Sequence, residues 1–130
     1  MPLTILGTLS LSGSATFAGT DGWTCGTLSL TAAGTFTITL QNSITYTTTT
    51  AAILTGGTNA ARYTMTSNSG TVRAIWTLEN GASQSLIYVQ GTRIDSSSGQ
   101  TIYPFGVTPI DSLNWVQLTT PGSVAYTFVS

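Results

Sequence analysis

The chain of 130 residues has no histidine and no lysine, and ionised side chains of either sign make up only 5% of it. Without histidine, Ser-His and Cys-His nucleophile systems are absent and the common zinc sites have no ligands. Three arginines are too few to neutralise a run of phosphates, so nucleic acid is not an expected partner. The single cysteine, Cys25, excludes an internal disulfide and frees the fold from any need for an oxidising compartment. With no basic residue near it in sequence to lower its pKa, it reads as a small buried hydrophobe. No apolar run approaches the ~18 residues that span a bilayer, so no membrane partner is expected. The start, Met-Pro-Leu-Thr, lacks a basic residue and leads into alternation, so no signal peptide is expected. No Asn-x-Ser/Thr sequon occurs, which speaks against a eukaryotic secretory origin. The glycine-rich turns are not followed by Gly-Lys-Ser/Thr, which removes a phosphate loop.

What fills the chain is 41% hydrophobic residues, with Thr and Ser as most of the remainder. That hydrophobic share and a net charge of −1 are the opposite of a disordered composition. The length suits one domain with a real core. Its surface must be coated by hydroxyls and amides, which repel neighbouring molecules weakly. Assembly with copies of itself, or docking on a larger scaffold, is the expectation.

Four β-type runs organise the middle, at residues 63–66, 72–78, 86–90 and 101–103, separated by Ser, Asn, Gly and Gln clusters. Aromatic and β-branched residues favour a pleated surface, and the separators favour turns. Upstream, residues 3–17 read as a strand, a Gly-Ser turn and a short second strand. Residues 18–26 form a loop around Asp21-Gly22, with Trp23 and Cys25 on one face. Phe36, Ile38 and Leu40 alternate with Thr35, Thr37 and Thr39, as in a half-buried strand with a hydroxyl-rich outer face. The threonines of residues 47–50 stiffen the next strand. Val72, Ala74, Trp76 and Leu78 make one inward row, and Asn80-Gly81 signals a tight turn. Leu86, Ile87, Tyr88 and Val89 are expected to be the most deeply buried strand. Beyond Tyr103 the prolines at 104 and 109 break regularity, and an alternating run at 124–128 closes the chain. The reading is a single all-β domain. Residues 1–26 would serve as a cap or docking arm, and residues 104–130 as a C-terminal cap or oligomer contact.

The segments ITYTTTTAAILTGG, ARYTMTSNSGT, AIWTLENGASQSLIYVQGTRIDSSSGQTIY and DSLNW resemble the Thr/Ser/Gly-rich repeats of right-handed parallel β-helices. Such repeats occur in phage virion proteins and bacterial surface proteins. The opening GTLSLSGSATFAGT is similar to short segments of phage tail-fibre and appendage proteins. The resemblance covers most of the chain and rests on a rhythm of composition. It implies a short right-handed parallel β-helix, or solenoid, of a few coils. The alternative is an antiparallel β-sandwich or jelly roll, which Asn80-Gly81 favours.

The acids are Asp21, Glu79, Asp95 and Asp111. A glycoside hydrolase needs two carboxyls facing each other across a sugar, but each of these reads as a turn or strand-end residue, with Asp95 paired to Arg93 or another arginine. No catalytic, cofactor-binding or metal-binding residue is therefore expected. Trp76 lies mid-strand in an apolar row and reads as core. Trp23 and Trp115 sit near loops, where a tryptophan can stack on a sugar or anchor a subunit contact. The functional expectation is a non-enzymatic structural protein on the exterior of a bacteriophage virion, either a capsid decoration or cement component or a small fibre or tail accessory. Its partners would be other virion proteins and itself, as a homo-oligomer, by analogy a trimer. A carbohydrate-binding or adhesin module meeting host-surface glycans, and a polysaccharide-degrading β-helix enzyme, are the alternatives.

Overall fold

A computed structural model describes residues 3–119. Among the described residues there is no helix, and the ordered elements are strands. In chain order they are β1 (Leu3–Leu11), β2 (Ala15–Thr16), β3 (Trp23–Leu30), β4 (Thr37–Leu40), β5 (Thr45–Thr55), β6 (Tyr63–Ser67), β7 (Ala74–Leu78), β8 (Ser83–Ile87), β9 (Val89–Thr92) and β10 (Ile94–Asp95). The first sheet has the order β1-β3-β5-β7-β10, with β8 also paired to β5, and the second has the order β2-β4-β6-β9. Every pairing between these strands is parallel. Through its first seven strands the chain enters the two sheets in strict alternation. Within each sheet a new strand is therefore laid beside the one that sheet received two strands before.

All-parallel pairing overturns the antiparallel sandwich, and the turn that suggested it has another role. The first sheet carries an aligned irregularity: the register slips between Ile5 and Thr8 in β1 and between Cys25 and Thr27 where β3 meets β5. In the next layer the same slip widens into a break, residues 79–82, between β7 and β8. Both β7 and β8 pair with β5, on either side of that break. Asn80-Gly81 therefore turns the chain outward and back into the same direction. Gly26 marks the slip in β3, because a Cβ there would lie 2.9 Å from the carbonyl oxygens of both Leu6 and Gly7.

Side-chain alternation carries register into packing. Leu11, Leu30, Leu54 and Leu86 stand in line across four strands, and Ala15, Ile38, Met65 and Gly91 across the other sheet. Leu30, Leu54, Leu86, Ile38 and Met65 of these rows belong to one buried cluster that runs from Trp23 to Trp115, with Leu11 packed against it. The outward positions form threonine rows, Thr4-Thr24-Thr47-Thr77 on one sheet and Thr16-Thr39-Thr66-Thr92 on the other. The hydroxyl-clad outer face anticipated for Phe36 to Leu40 thus extends across both sheets.

Several local expectations need correction. The inward row of the seventh strand holds Ala74, Trp76 and Leu78, but Val72 precedes the strand and is 43% exposed. The run 86–89 is two strands meeting at a corner, where Tyr88 adopts φ 54 and the chain crosses from the first sheet to the second. The Tyr88 N–H donates to the Phe105 carbonyl, and its own carbonyl accepts from the Tyr63 N–H. These bonds hold a backbone conformation that a bulky residue rarely takes. Residues 3–26 contribute β1 and β2 to the two sheets, and β3 crosses the boundary expected at residue 26. Residues 104–119 add single bridges onto the preceding layer, Phe105 to Leu118 among them. The expected run at 124–128 lies outside the described residues.

Candidate functional site

Catalysis needs groups that converge, so the acids come first. Asp21 precedes β3 near the β1 edge, whereas Asp95 lies in β10, the opposite outer strand of the same sheet. Glu79 is exposed at the break after β7. The Asp95 carboxylate accepts from the N–H of Ser97 at 2.9 Å and so caps its own turn. Asp111 instead receives the arginine: Arg73 Nη2 lies 2.5 Å from its Oδ1, and Arg73 Nε donates to its carbonyl at 2.9 Å. The arginine pairing expected at Asp95 is therefore at Asp111, while Arg93 Nε donates to the Ser69 carbonyl. With Asp111 51% exposed, the Arg73–Asp111 pair contributes at most about 1 kcal/mol. No group of three or more His, Cys, Asp or Glu side chains able to hold a metal occurs among the described residues.

The tryptophans expected at the surface are in the core. Trp23 is 3% exposed and Trp115 7%, so neither offers a free ring face to a sugar. Trp23 packs edge-on to Phe17, with ring centroids 5.7 Å apart, and 5.3 Å from Tyr46. Trp115 lies 6.0 Å from Trp76 and closes over Gly91, where a Cβ would meet its ring at 2.7 Å. Its indole N–H donates to Ser96 Oγ.

Sequence reasoning missed a buried polar node. Thr48, which the threonine run gave no reason to single out, points inward with no exposure. Its Oγ1 accepts the Trp76 indole N–H at 3.0 Å and lies 3.7 Å from Cys25 Sγ. Burial pushes the Cys25 thiol pKa up, against a smaller opposing effect of Thr48. Burial also raises the Tyr63 phenol, whose O–H donates to the Ala32 carbonyl. Both groups hold their protons more tightly folded than unfolded. Stability should therefore be level through neutral pH and fall once pH passes the ordinary thiol value of about 8.5, where only the unfolded chain ionises. Urea melts from pH 7 to 10 check this, and Cys25→Ala should flatten the first part of the decline. A thiol reagent should label Cys25 slowly without denaturant and rapidly in it.

At the β1 end a hollow of about 310 Å³ opens between the edges of the two sheets, lined mainly by Leu3, Ile5, Leu9, Phe17, Ala18 and Trp23. The Trp23 indole N–H beside it is buried without a hydrogen-bond partner among the described residues. Beside the hollow β1 exposes Leu3 at 58% and Leu6 at 94%. The chain matches no family model, no curated protein and no solved structure. The functional reading therefore rests on this geometry and on the sequence. The hollow has apolar walls with Asp21 as its one acid, an arrangement that receives apolar groups and has no second carboxyl for sugar hydrolysis.

Proposed function

We propose that this chain is a non-enzymatic structural protein of a bacteriophage virion, a short right-handed parallel β-helix that docks as a rigid body on the particle's exterior. The observation that carries the reading is the all-parallel alternation between two sheets with neutral threonine rows outside. Winding is the simplest path that returns a chain to the same sheet in the same direction, and such crossovers are overwhelmingly right-handed. Successive circuits set Leu3 beside Trp23, Thr24 beside Thr47, Thr47 beside Thr77 and Phe105 beside Leu118, so the coils lengthen and then taper. A body of this kind acts by shape and by its ends, as a head decoration, cement or small tail accessory does. Its partners are other virion proteins and further copies of itself. The sugar-binding alternative draws no support from Trp23 and Trp115, and the hydrolase alternative none from the separated acids.

Immunogold electron microscopy of purified phage particles, with antibody raised against this chain, tests the reading. Label on the outside of heads or tails is expected, and particles without label would overturn it. Substituting Asp95→Asn and Asp111→Asn together should leave that label unchanged and remove no activity. Polysaccharide cleavage lost on this change would bring the enzyme forward instead.

A further inference from the structure

We propose that the β1 end of the molecule is a self-association surface, closing two copies end to end about a two-fold axis near Gly7. The proposal rests on the reading of this protein as a docking body and names the partner its open end takes.

Among the described residues β1 is the outermost strand of the first sheet and pairs only with β3. The Leu3 N–H donates to the Gly22 carbonyl, toward β3. Alternation along a strand then turns the Thr4 N–H and carbonyl to the free side, as an unused hydrogen-bonding edge. Free edges are normally blunted by charge, proline or a bulge; residues 3–20 contain no charge and no proline, and the slip between Ile5 and Thr8 interrupts the edge only at its middle. At Gly7 a Cβ would meet nothing within 4 Å, so the middle of the strand is open. Beside this edge lie Leu6, Leu3 and the apolar hollow, so backbone groups and unfilled core are presented together.

Charge and size select a second copy as the occupant. A copy brings an edge with no ionised group in residues 3–20, so Asp21 is the one acid lining the hollow at the contact, whereas a charged partner would add a further charge to bury. Nine residues at about 3.3 Å make an edge of roughly 30 Å, and two sheets give a width of roughly 20 Å, an end of about 600 Å² beside the ~800 Å² each partner buries in a standard interface. Among the described residues the opposite end does not match it, because the last circuit there, from Phe105 to Leu118, is shorter than the first, from Leu3 to Trp23. Head-to-tail stacking would leave much of β1 uncovered. Two copies of β1 running antiparallel pair on either side of the slip between Ile5 and Thr8 and close the assembly. This joins two copies, where the analogy with phage appendages suggests three.

Light scattering on the eluting chain at concentrations up to about 100 µM tests it. A mass twice the 13.5 kDa of one chain is expected. Leu6→Lys, at a side chain 94% exposed, should weaken association at least about tenfold and leave the melting temperature of the dissociated chain, read at low concentration, unchanged. Thr4→Pro, which removes one edge N–H, should do the same. A monomer throughout, a trimer, or a dimer indifferent to both substitutions would overturn the proposal. None of these results alters the immunogold experiment, so the two readings fail separately.

Discussion

Trp76→Ala should lower stability by about 3–5 kcal/mol, the usual cost of removing a large aromatic side chain from a packed core. Trp76 has no exposed surface, stands in register with Tyr46 on β5, and packs against Trp115 with ring centroids 6.0 Å apart. The change also takes the indole N–H from Thr48 Oγ1, a buried hydroxyl whose other neighbour is the weakly bonding Cys25 sulfur. Roughly 10–20 °C off the melting temperature is the expected reading for a domain of this size. Trp76→Phe keeps most of the ring but not the donor and should fall between. Thr77, one residue on, faces outward in its threonine row, so Thr77→Ser should stay within about 0.5 kcal/mol. Equal shifts for Trp76→Ala and Thr77→Ser would mean that β7 presents the other face to the core.

Gly22→Ala is the second large effect. A Cβ at Gly22 would sit 1.7 Å from the carbonyl oxygen of Thr45, at the start of β5, and no side-chain rotation relieves a clash with backbone. The layers that carry Trp23 and Tyr46 would have to separate, opening the aromatic contact of those two residues, now 5.3 Å between centroids. Overpacking of this kind costs about 3 kcal/mol. Gly70→Ala is the control, since a Cβ there meets nothing within 4 Å, and it should change stability by less than about 0.5 kcal/mol. Thermal melts of the two variants side by side give the answer. An alanine at 22 as harmless as one at 70 would show that this approach of the layers is looser than described.

Asp21-Gly22 shows what was legible in the sequence and what was not. Composition marked the pair as a turn, which it borders, but the need for glycine comes from Thr45, a neighbour in space and not in sequence. Rows such as Ile38 and Leu40, or Ala74, Trp76 and Leu78, were readable because alternation is a local property of a strand. Strand direction was not, because a parallel partner such as Thr47 for Thr24 is remote in sequence while Asn80-Gly81 offers a hairpin at once. Tyr88 concealed a corner, since nothing local in a tyrosine announces a left-handed backbone; bonds to Phe105 and Tyr63 impose it. Trp23 and Trp115 looked like surface residues because their covering neighbours, Tyr46 and Trp76, are remote in sequence. The open end at β1 was invisible for the same reason. Leu3, Phe17 and Trp23 form a hollow only once β1 is known to be the last strand of its sheet.

The adjacency of the layers also determines how the molecule loosens. Among the described residues every strand finds its ladder partners in the layer immediately before or after it. Cohesion therefore passes from neighbour to neighbour, and the two ends are tied to each other only through the middle. Opening at the tapering end, where Trp115 and Leu118 hold single bridges, frees those residues without disturbing β1 and β3. Amide protons of β5, held on both sides along most of its length, exchange with solvent only when the whole array comes apart, while those of the last bridges exchange by local fraying.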